Sequence, residues 1–185
     1  MKREILVTDD GSVTIHLPEW NEQYHSKHGA IAEAMHVFIE TGLEHWIYKN
    51  PKQEISILEI GFGTGLNAFL TSLEAIKKNL QINYSGIEAY PISDKEIEQL
   101  NYATLLDASD EAFLKLHQSS WGASSEISQN FILTKREQFF SEINDSELYN
   151  VIYFDAFGAR VQPELWTETV FKLMFEALKQ NGVLV

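Results

Sequence analysis

Ile57-Leu58-Glu59-Ile60-Gly61-Phe62-Gly63-Thr64-Gly65-Leu66-Asn67 constrains this chain more than any other stretch, because an apolar strand-like run ends there in three glycines and a helix begins. Glycine reaches positive φ without steric cost, and a helix N-terminus offers unpaired N–H groups. Together they form a site for a nucleotide-like ligand. The spacing narrows the ligand. A dinucleotide fingerprint reads G-x-G-x-x-G, whereas these glycines fall at 61, 63 and 65, and Leu66 stands where the third should be. Glu59 precedes the first glycine by two residues, and a carboxylate there repels pyrophosphate and attracts a cation.

From Ile55 onward, strand and helix patterns alternate. Strands are expected at Ile55 to Ile60, Ile82 to Ile87, Phe131 to Leu133 and Val151 to Asp155, the last a continuous apolar run typical of burial on both faces. Leu66, Phe69, Leu70, Leu73 and Ile76 form the stripe of a helix, and Ser93-Asp94-Lys95-Glu96 is a capping box. Gly122 to Ser125 reads as a loop. A long helix is expected from Pro163 through Leu165, Trp166, Phe171, Met174 and Leu178, capped by Gly182, with a strand beginning at Val183. Such alternation implies right-handed crossovers, hence an α/β, doubly wound, mostly parallel sheet with ligands at its carboxyl edge.

The first 54 residues read as an N-terminal extension packed on a core over residues 55–185. Ile5 to Val7 and Val13 to Leu17 flank Asp9-Asp10-Gly11, a hairpin signal, and Trp20 to Ser26 reads as irregular. From His28 a helix presents Ile31, Ala34, Met35, Phe38 and Ile39 on one face. Gly42 is expected to break or cap it before a second helical piece from Leu43 to Tyr48. With 185 residues, 44% hydrophobic and 12% aromatic, the chain can bury a proper core. It has no cysteine, so disulfides, thiolate metal sites and a Cys nucleophile are excluded. No window has transmembrane length and the basic start lacks a signal-like apolar run, so a cytoplasmic location and no membrane partner are expected. The net charge of −13 means that any nucleic-acid partner is held by a local basic patch or by charge outside this chain.

Glu88 closes the second strand, where an acidic side chain accepts both hydroxyls of an adenosine ribose. That contact suits S-adenosylmethionine and NAD alike. Asp155 ends the fourth strand at the same edge, where a carboxylate can hydrogen-bond an amine and accept its proton. Phe62, Tyr90, Phe157 and Trp166 are candidates to line the cavity. Lys135-Arg136 and Arg160 are the cations placed to meet phosphate, and Lys77-Lys78 reads as a solvated helix end. His25, His28 and His36 lack further ligands at metal-binding spacing, so no metal is expected.

The pattern E-x-G-x-G-x-G resembles the first motif of class I methyltransferases. That loop, together with Tyr24-His25-Ser26-x-x-Gly29-Ala30-x-x-Glu33-x-x-His36-Val37-Phe38 and Tyr153-Phe154-Asp155-Ala156-Phe157-x-x-x-x-x-Pro163-Glu164-x-Trp166, is similar to one family. It is the methyltransferase that completes 5-methylaminomethyl-2-thiouridine at the tRNA wobble position, in its stand-alone form. The resemblance implies S-adenosylmethionine as cofactor, tRNA through its anticodon stem-loop as partner, and upstream enzymes that supply the aminomethyl substrate. It implies that Glu59, Gly61, Phe62, Gly63, Thr64, Gly65, Asn67, Glu88 and Ala89 hold the cofactor and that Asp155 sits at the amine. Tyr24, Glu33, Phe157 and Arg160 would form the substrate pocket. The family's sheet has further C-terminal strands, so the core reads as two strands short. Lys135-Arg136-Glu137 replaces the Gly-Asp pair that meets adenine in relatives. The alternatives are an NAD-dependent oxidoreductase and a non-catalytic cofactor- or partner-binding domain.

Overall fold

Apolar strands buried on both faces must sit inside a sheet, and here they build a six-stranded one. The computed structural model describes residues 2–51 and 54–185. Chain order gives β4 (Glu54–Ile60), β5 (Gln81–Glu88), β6 (Ser124–Ser128), β7 (Phe131–Glu137), β8 (Tyr149–Phe154) and β9 (Leu178–Leu184), arranged β6-β7-β5-β4-β8-β9. All pairings are parallel except β6 with β7. The chain winds outward from β4 through β5 to β7, then returns to β8 on the other side of β4. The strand order therefore reverses between β4 and β8, and the carboxyl ends of β4, β5 and β8 lie side by side at the place where doubly wound sheets bind ligands.

Helix α2 (Leu66–Lys78) follows β4 directly and buries Leu66, Phe69 and Leu70 against the sheet. Each such side chain contributes about 1.5–3 kcal/mol. Ser93 opens α3 (Asp94–Ile97) through the expected capping box. Short α4 (Tyr102–Leu105) and α5 (Asp110–Gln118) cover the β7 side.

The N-terminal hairpin forms as expected, β1 (Glu4–Val7) pairing antiparallel with β2 (Val13–Leu17). A two-residue β3 (Glu22–Gln23) extends it inside the stretch that reads as irregular. Gly42 neither breaks nor caps the following helix. The helix, α1, runs unbroken over residues 30–49, its middle Met35–Glu44 wound as a π-helix. Gly42 is buried inside it because a Cβ would come within 2.9 Å of Val185 and 3.2 Å of Tyr153. Its signal is close packing against β8, not helix termination. The boundary expected after residue 54 adjoins residues 52 and 53, which lie outside the described residues.

Two further elements differ from the sequence reading. Ser124 and Ser125 belong to β6, an edge strand whose polar residues face solvent while Ile127 is buried. The expected long helix is a single 3-10 turn, Pro163–Leu165, followed by α6 (Glu168–Ala177), and Thr167 caps α6 by accepting the Val170 N–H. It ends at Ala177, not at Gly182. Leu178 already pairs with Tyr149 and Val183 with Val151, so residues 179–182 loop out of β9, with Asn181 in the left-handed conformation at φ 63°. Among the described residues no helix is long and apolar enough to cross a membrane.

Candidate active site at the carboxyl edge

The β4-to-α2 turn is shaped by its contact with β5 and β8. Gly61 and Phe62 both donate their N–H to Ile87 O, at 3.0 and 2.9 Å, while Asp155 donates its N–H to Ile60 O at 2.9 Å. Gly61 has φ 91°, and a Cβ there would lie 2.6 Å from Asp155 O. Gly63 has φ 48°, and a Cβ would lie 3.0 Å from the Tyr24 ring. Only glycine fits at 61, and at 63 any side chain would have to displace the Tyr24 ring. Gly65 starts α2 from the left-handed conformation.

A cavity of about 960 Å³ opens over this turn. Gly61, Phe62, Gly63, Thr64, Asn67, Glu88, Ala89, Tyr24, Asp155 and Phe157 all line it, as does Tyr90. Gly65 does not, because it turns toward His117. Glu88 receives two backbone donors, Gly63 N–H on Oε2 and Tyr90 N–H on Oε1, both at 2.9 Å. It thus clamps the glycine turn to the chain leaving β5 and keeps further lone pairs for hydroxyls.

Asp155 accepts a hydrogen bond from Asn67 Nδ2 at 2.8 Å. Burial pushes its carboxyl up to about 7, the Glu33 and Glu88 charges push the same way, and the Asn67 N–H opposes them. An ordinary carboxylate becomes a group that can give or take a proton near neutrality.

Five expectations are corrected by the placement of the side chains. Glu59 does not face the cavity. Strand alternation turns it beneath α2, where it is wholly buried, and burial followed by the nearby Asp155 charge drives it well above the usual carboxylate range. An acid held neutral cannot attract an ammonium in the way the sequence suggests. Glu33 is exposed and accepts the Ser26 N–H at 2.7 Å, acting on Asp155 through charge and not as a cavity wall. Arg160 is tied to Trp20 O and Asn21 O at 3.1 Å and to Glu22 at 2.9 Å, so it braces the N-terminal segment. Lys135 and Arg136 also turn inward. Lys135 donates to His117 O at 2.6 Å and lies 4.8 Å from the Trp121 ring centre, and Arg136 pairs with Asp145 at 2.6 Å. Trp166 stays outside the cavity, donating its indole N–H to Phe157 O at 2.8 Å.

The three N-terminal histidines go separate ways. His28 meets Asp9 and His36 meets Glu40, each at 3.1 Å. His25 is buried between Thr14 and Thr64, at 3.1 and 3.4 Å, and burial pushes its imidazole down to about 4. Among the described residues no three His, Asp or Glu side chains form a metal-binding group.

Sequence reasoning missed the roof and one wall. Arg3, just ahead of β1, reaches across to Tyr90 O at 2.8 Å, Pro91 O and Glu96 at 3.3 Å, and Trp20 and Tyr24 pack edge-on against Phe157. Phe139, Phe140 and Ser141, past the end of β7, complete the cavity, and Phe139 meets Tyr90 at 6.0 Å. The only available signal for the Arg3 strap is the basic residue at the outer end of the first hairpin strand.

A family model described as S-adenosyl-L-methionine-dependent methyltransferase matches residues 101–185. The crystal structure of MNMC2 from Aquifex aeolicus superposes over 100% of this chain and 59% of its own, with TM-score 0.77 and 24% identity. The chain has the class I methyltransferase fold. Among curated proteins, the tRNA 5-methylaminomethyl-2-thiouridine biosynthesis bifunctional protein MnmC of Leptospira borgpetersenii is 29% identical over 163 residues, 82% of this chain and 25% of that protein. Its counterpart in Campylobacter fetus is 31% identical over 139 residues, 69% of this chain and 22% of that protein. The resemblance to the wobble-uridine methyltransferase family therefore holds, and this chain spans about a quarter of the length of these relatives. The cofactor that accompanies this fold and this family model is S-adenosylmethionine.

Proposed function

We propose that this class I methyltransferase converts 5-aminomethyl-2-thiouridine to 5-methylaminomethyl-2-thiouridine at the wobble position of tRNA, using S-adenosylmethionine. The reading is carried by one observation: Asp155, oriented by Asn67 and tuned to about 7, stands at the cavity wall beside the glycine turn. The cavity has room for a nucleoside cofactor and a nucleoside acceptor together. The glycine turn and Glu88 suit the cofactor, because the turn lines the cavity without side chains at Gly61 and Gly63 and Glu88 keeps spare carboxylate lone pairs for ribose hydroxyls.

When bound, S-adenosylmethionine supplies an electrophilic methyl group on a sulfonium. Asp155 would accept an N–H from the acceptor amine, aim the nitrogen lone pair across the cavity and take the proton the nitrogen sheds as its bond to the methyl group replaces the methyl–sulfur bond, the sulfur leaving as a neutral thioether. Phe157, Tyr24 and Trp20 keep water from that nitrogen. The N-terminal extension, residues 1–54, acts with the core as one site, and the protein works in the cytoplasm on tRNA whose aminomethyl group other enzymes have made. No comparison supports the NAD-dependent oxidoreductase alternative.

The test offers the protein tRNA carrying 5-aminomethyl-2-thiouridine and methyl-labelled cofactor. Label is expected in the wobble nucleoside. Asp155→Ala is expected to abolish transfer while S-adenosylhomocysteine still binds. Label that stays out of tRNA with the unmodified protein overturns the function, and a parallel fall in binding overturns the role of Asp155.

A further inference from the structure

Behind Asp155 lies a set of polar groups that the proposed chemistry does not use. Glu59 on β4, Asn67 on α2 and Tyr84 on β5 are all sealed from solvent. Both Glu59 carboxyl oxygens, Asn67 Oδ1 and the Tyr84 hydroxyl lack any hydrogen-bond partner as acceptors or donors. Yet Asn67 and Tyr84 are the polar neighbours of the Glu59 carboxyl. Four unpaired atoms on three neighbouring buried side chains cannot all stay so, because each buried orphan costs about 1–3 kcal/mol.

One proton resolves the set. Asn67 gives its N–H to Asp155, so its amide oxygen points away and needs a donor. A Glu59 carboxylate has none to offer, whereas a Glu59 carboxylic acid has one. The acid's other oxygen then accepts the Tyr84 O–H, and every orphan is satisfied. We propose that Glu59 is a positioning residue: as a neutral acid it donates its proton to Asn67 Oδ1 and locks the amide in the orientation that presents an N–H to Asp155.

The electrostatics agree with the geometry. Neither Glu59 oxygen has a donor within hydrogen-bond distance and none is open to solvent, so burial and then the Asp155 charge outweigh the pull of Tyr84 and the neighbouring Asn67 amide and keep the proton on Glu59. Asp155, by contrast, holds the Asn67 N–H, borders the cavity and is the member that ionises. The other groups facing Asp155 are Glu33 from α1, Glu88 from the end of β5, Tyr84 on β5 and Tyr102 on α4. Glu33 binds Ser26, Glu88 binds Gly63 and Tyr90, and the Tyr102 hydroxyl donates to Val13 O at 2.7 Å, while the single Tyr84 O–H is needed by the second Glu59 oxygen, so Glu59 is the donor left for Asn67 Oδ1.

This inference rests on the proposed function only in placing Asp155 at the acceptor amine, and its test does not need tRNA. The Asp155 carboxyl is titrated by carbon-13 NMR in protein labelled at aspartate, with Asp155→Asn identifying the signal. Glu59→Gln keeps a donor for Asn67 Oδ1, so the midpoint is expected to match wild type. Glu59→Leu removes the donor, and Asn67→Ala removes the N–H. Both are expected to raise the Asp155 midpoint by about one pH unit. A midpoint that drops by a unit or more in Glu59→Gln would show that Glu59 carries a charge, and an unmoved midpoint in a folded Glu59→Leu would show that it positions nothing. Either result overturns the proposal. In methyl transfer the same logic predicts rescue: kcat falls at least tenfold in Glu59→Leu with cofactor KM unchanged, and Glu59→Gln restores it. Failure of the unmodified protein to methylate tRNA would strike the proposed function and leave the titration to judge Glu59.

Discussion

Replacing Asp155 by Asn should make the protein more stable in alkaline solution while removing its chemistry. In the folded state Asp155 keeps its proton up to about 7, whereas the unfolded chain releases it near the ordinary 3.8. The folded protein therefore binds more protons than the unfolded chain across that window, and wild type loses stability as pH rises from about 4 to 7. Each pK step is worth about 1.4 kcal/mol, so the full displacement corresponds to about 4 kcal/mol. Asp155 borders the cavity, and water there screens part of the cost, leaving an expected gain for Asp155→Asn of about 2 kcal/mol above pH 7. The amide oxygen of the variant still accepts the Asn67 N–H, so no new orphan offsets the gain. Urea unfolding of both proteins at several pH values measures it. With a denaturant slope of about 2–3 kcal/mol/M, the variant's midpoint should lie nearly 1 M higher at about pH 8 and coincide with wild type near pH 4. A variant less stable at pH 8, or an offset that is the same at every pH, would refute the reasoning.

Three other outcomes follow from the same contacts. Gly61→Ala places a methyl 2.6 Å from Asp155 O at φ 91°, so a loss of about 3 kcal/mol or more is expected in thermal unfolding, and a wild-type melt would count against the turn geometry. Glu88→Ala frees the Gly63 and Tyr90 N–H groups, and calorimetry should show S-adenosylhomocysteine binding at least about tenfold weaker; unchanged affinity would remove Glu88 from the cofactor site. His25 stays neutral down to about 4 when folded but takes a proton near 6.5 when unfolded, so it costs stability as pH falls from 6.5 toward 4. His25→Gln should flatten that limb of the stability profile, and an identical slope in both proteins would contradict the buried imidazole.

The fold was legible where a pattern has one physical solution. An apolar run ending in spaced glycines before an amphipathic stripe admits only strand, turn and helix, and β4, α2, β5, β7 and β8 lie where such patterns stand. The region after Pro163 was not legible, because a continuous apolar stripe does not reveal that Thr167 restarts the helix or that Asn181 and Gly182 belong to a looped strand. Gly42 misled for a related reason: glycine reads the same whether it ends a helix or admits a neighbour, and only the Tyr153 and Val185 contacts decide.

At the candidate site, strand ends were readable and charges were not. Asp155 and Glu88 follow from the carboxyl-edge rule, and both line the cavity. Glu59, Lys135 and Arg136 are hydrophilic by composition yet point into the protein, and Arg160, though exposed, is tied to the Trp20 to Glu22 segment. A sequence gives the identity of a charge but not the direction of its side chain, which depends on register one residue at a time.

Tyr24 against Gly63, His25 against Thr64 and Tyr102 against Val13 O have one further consequence. Segments far apart in the chain furnish opposite halves of a single enclosure, so the first fifty residues are not a detachable accessory. Splicing this core onto another enzyme's leading segment would leave the glycine turn with an open side.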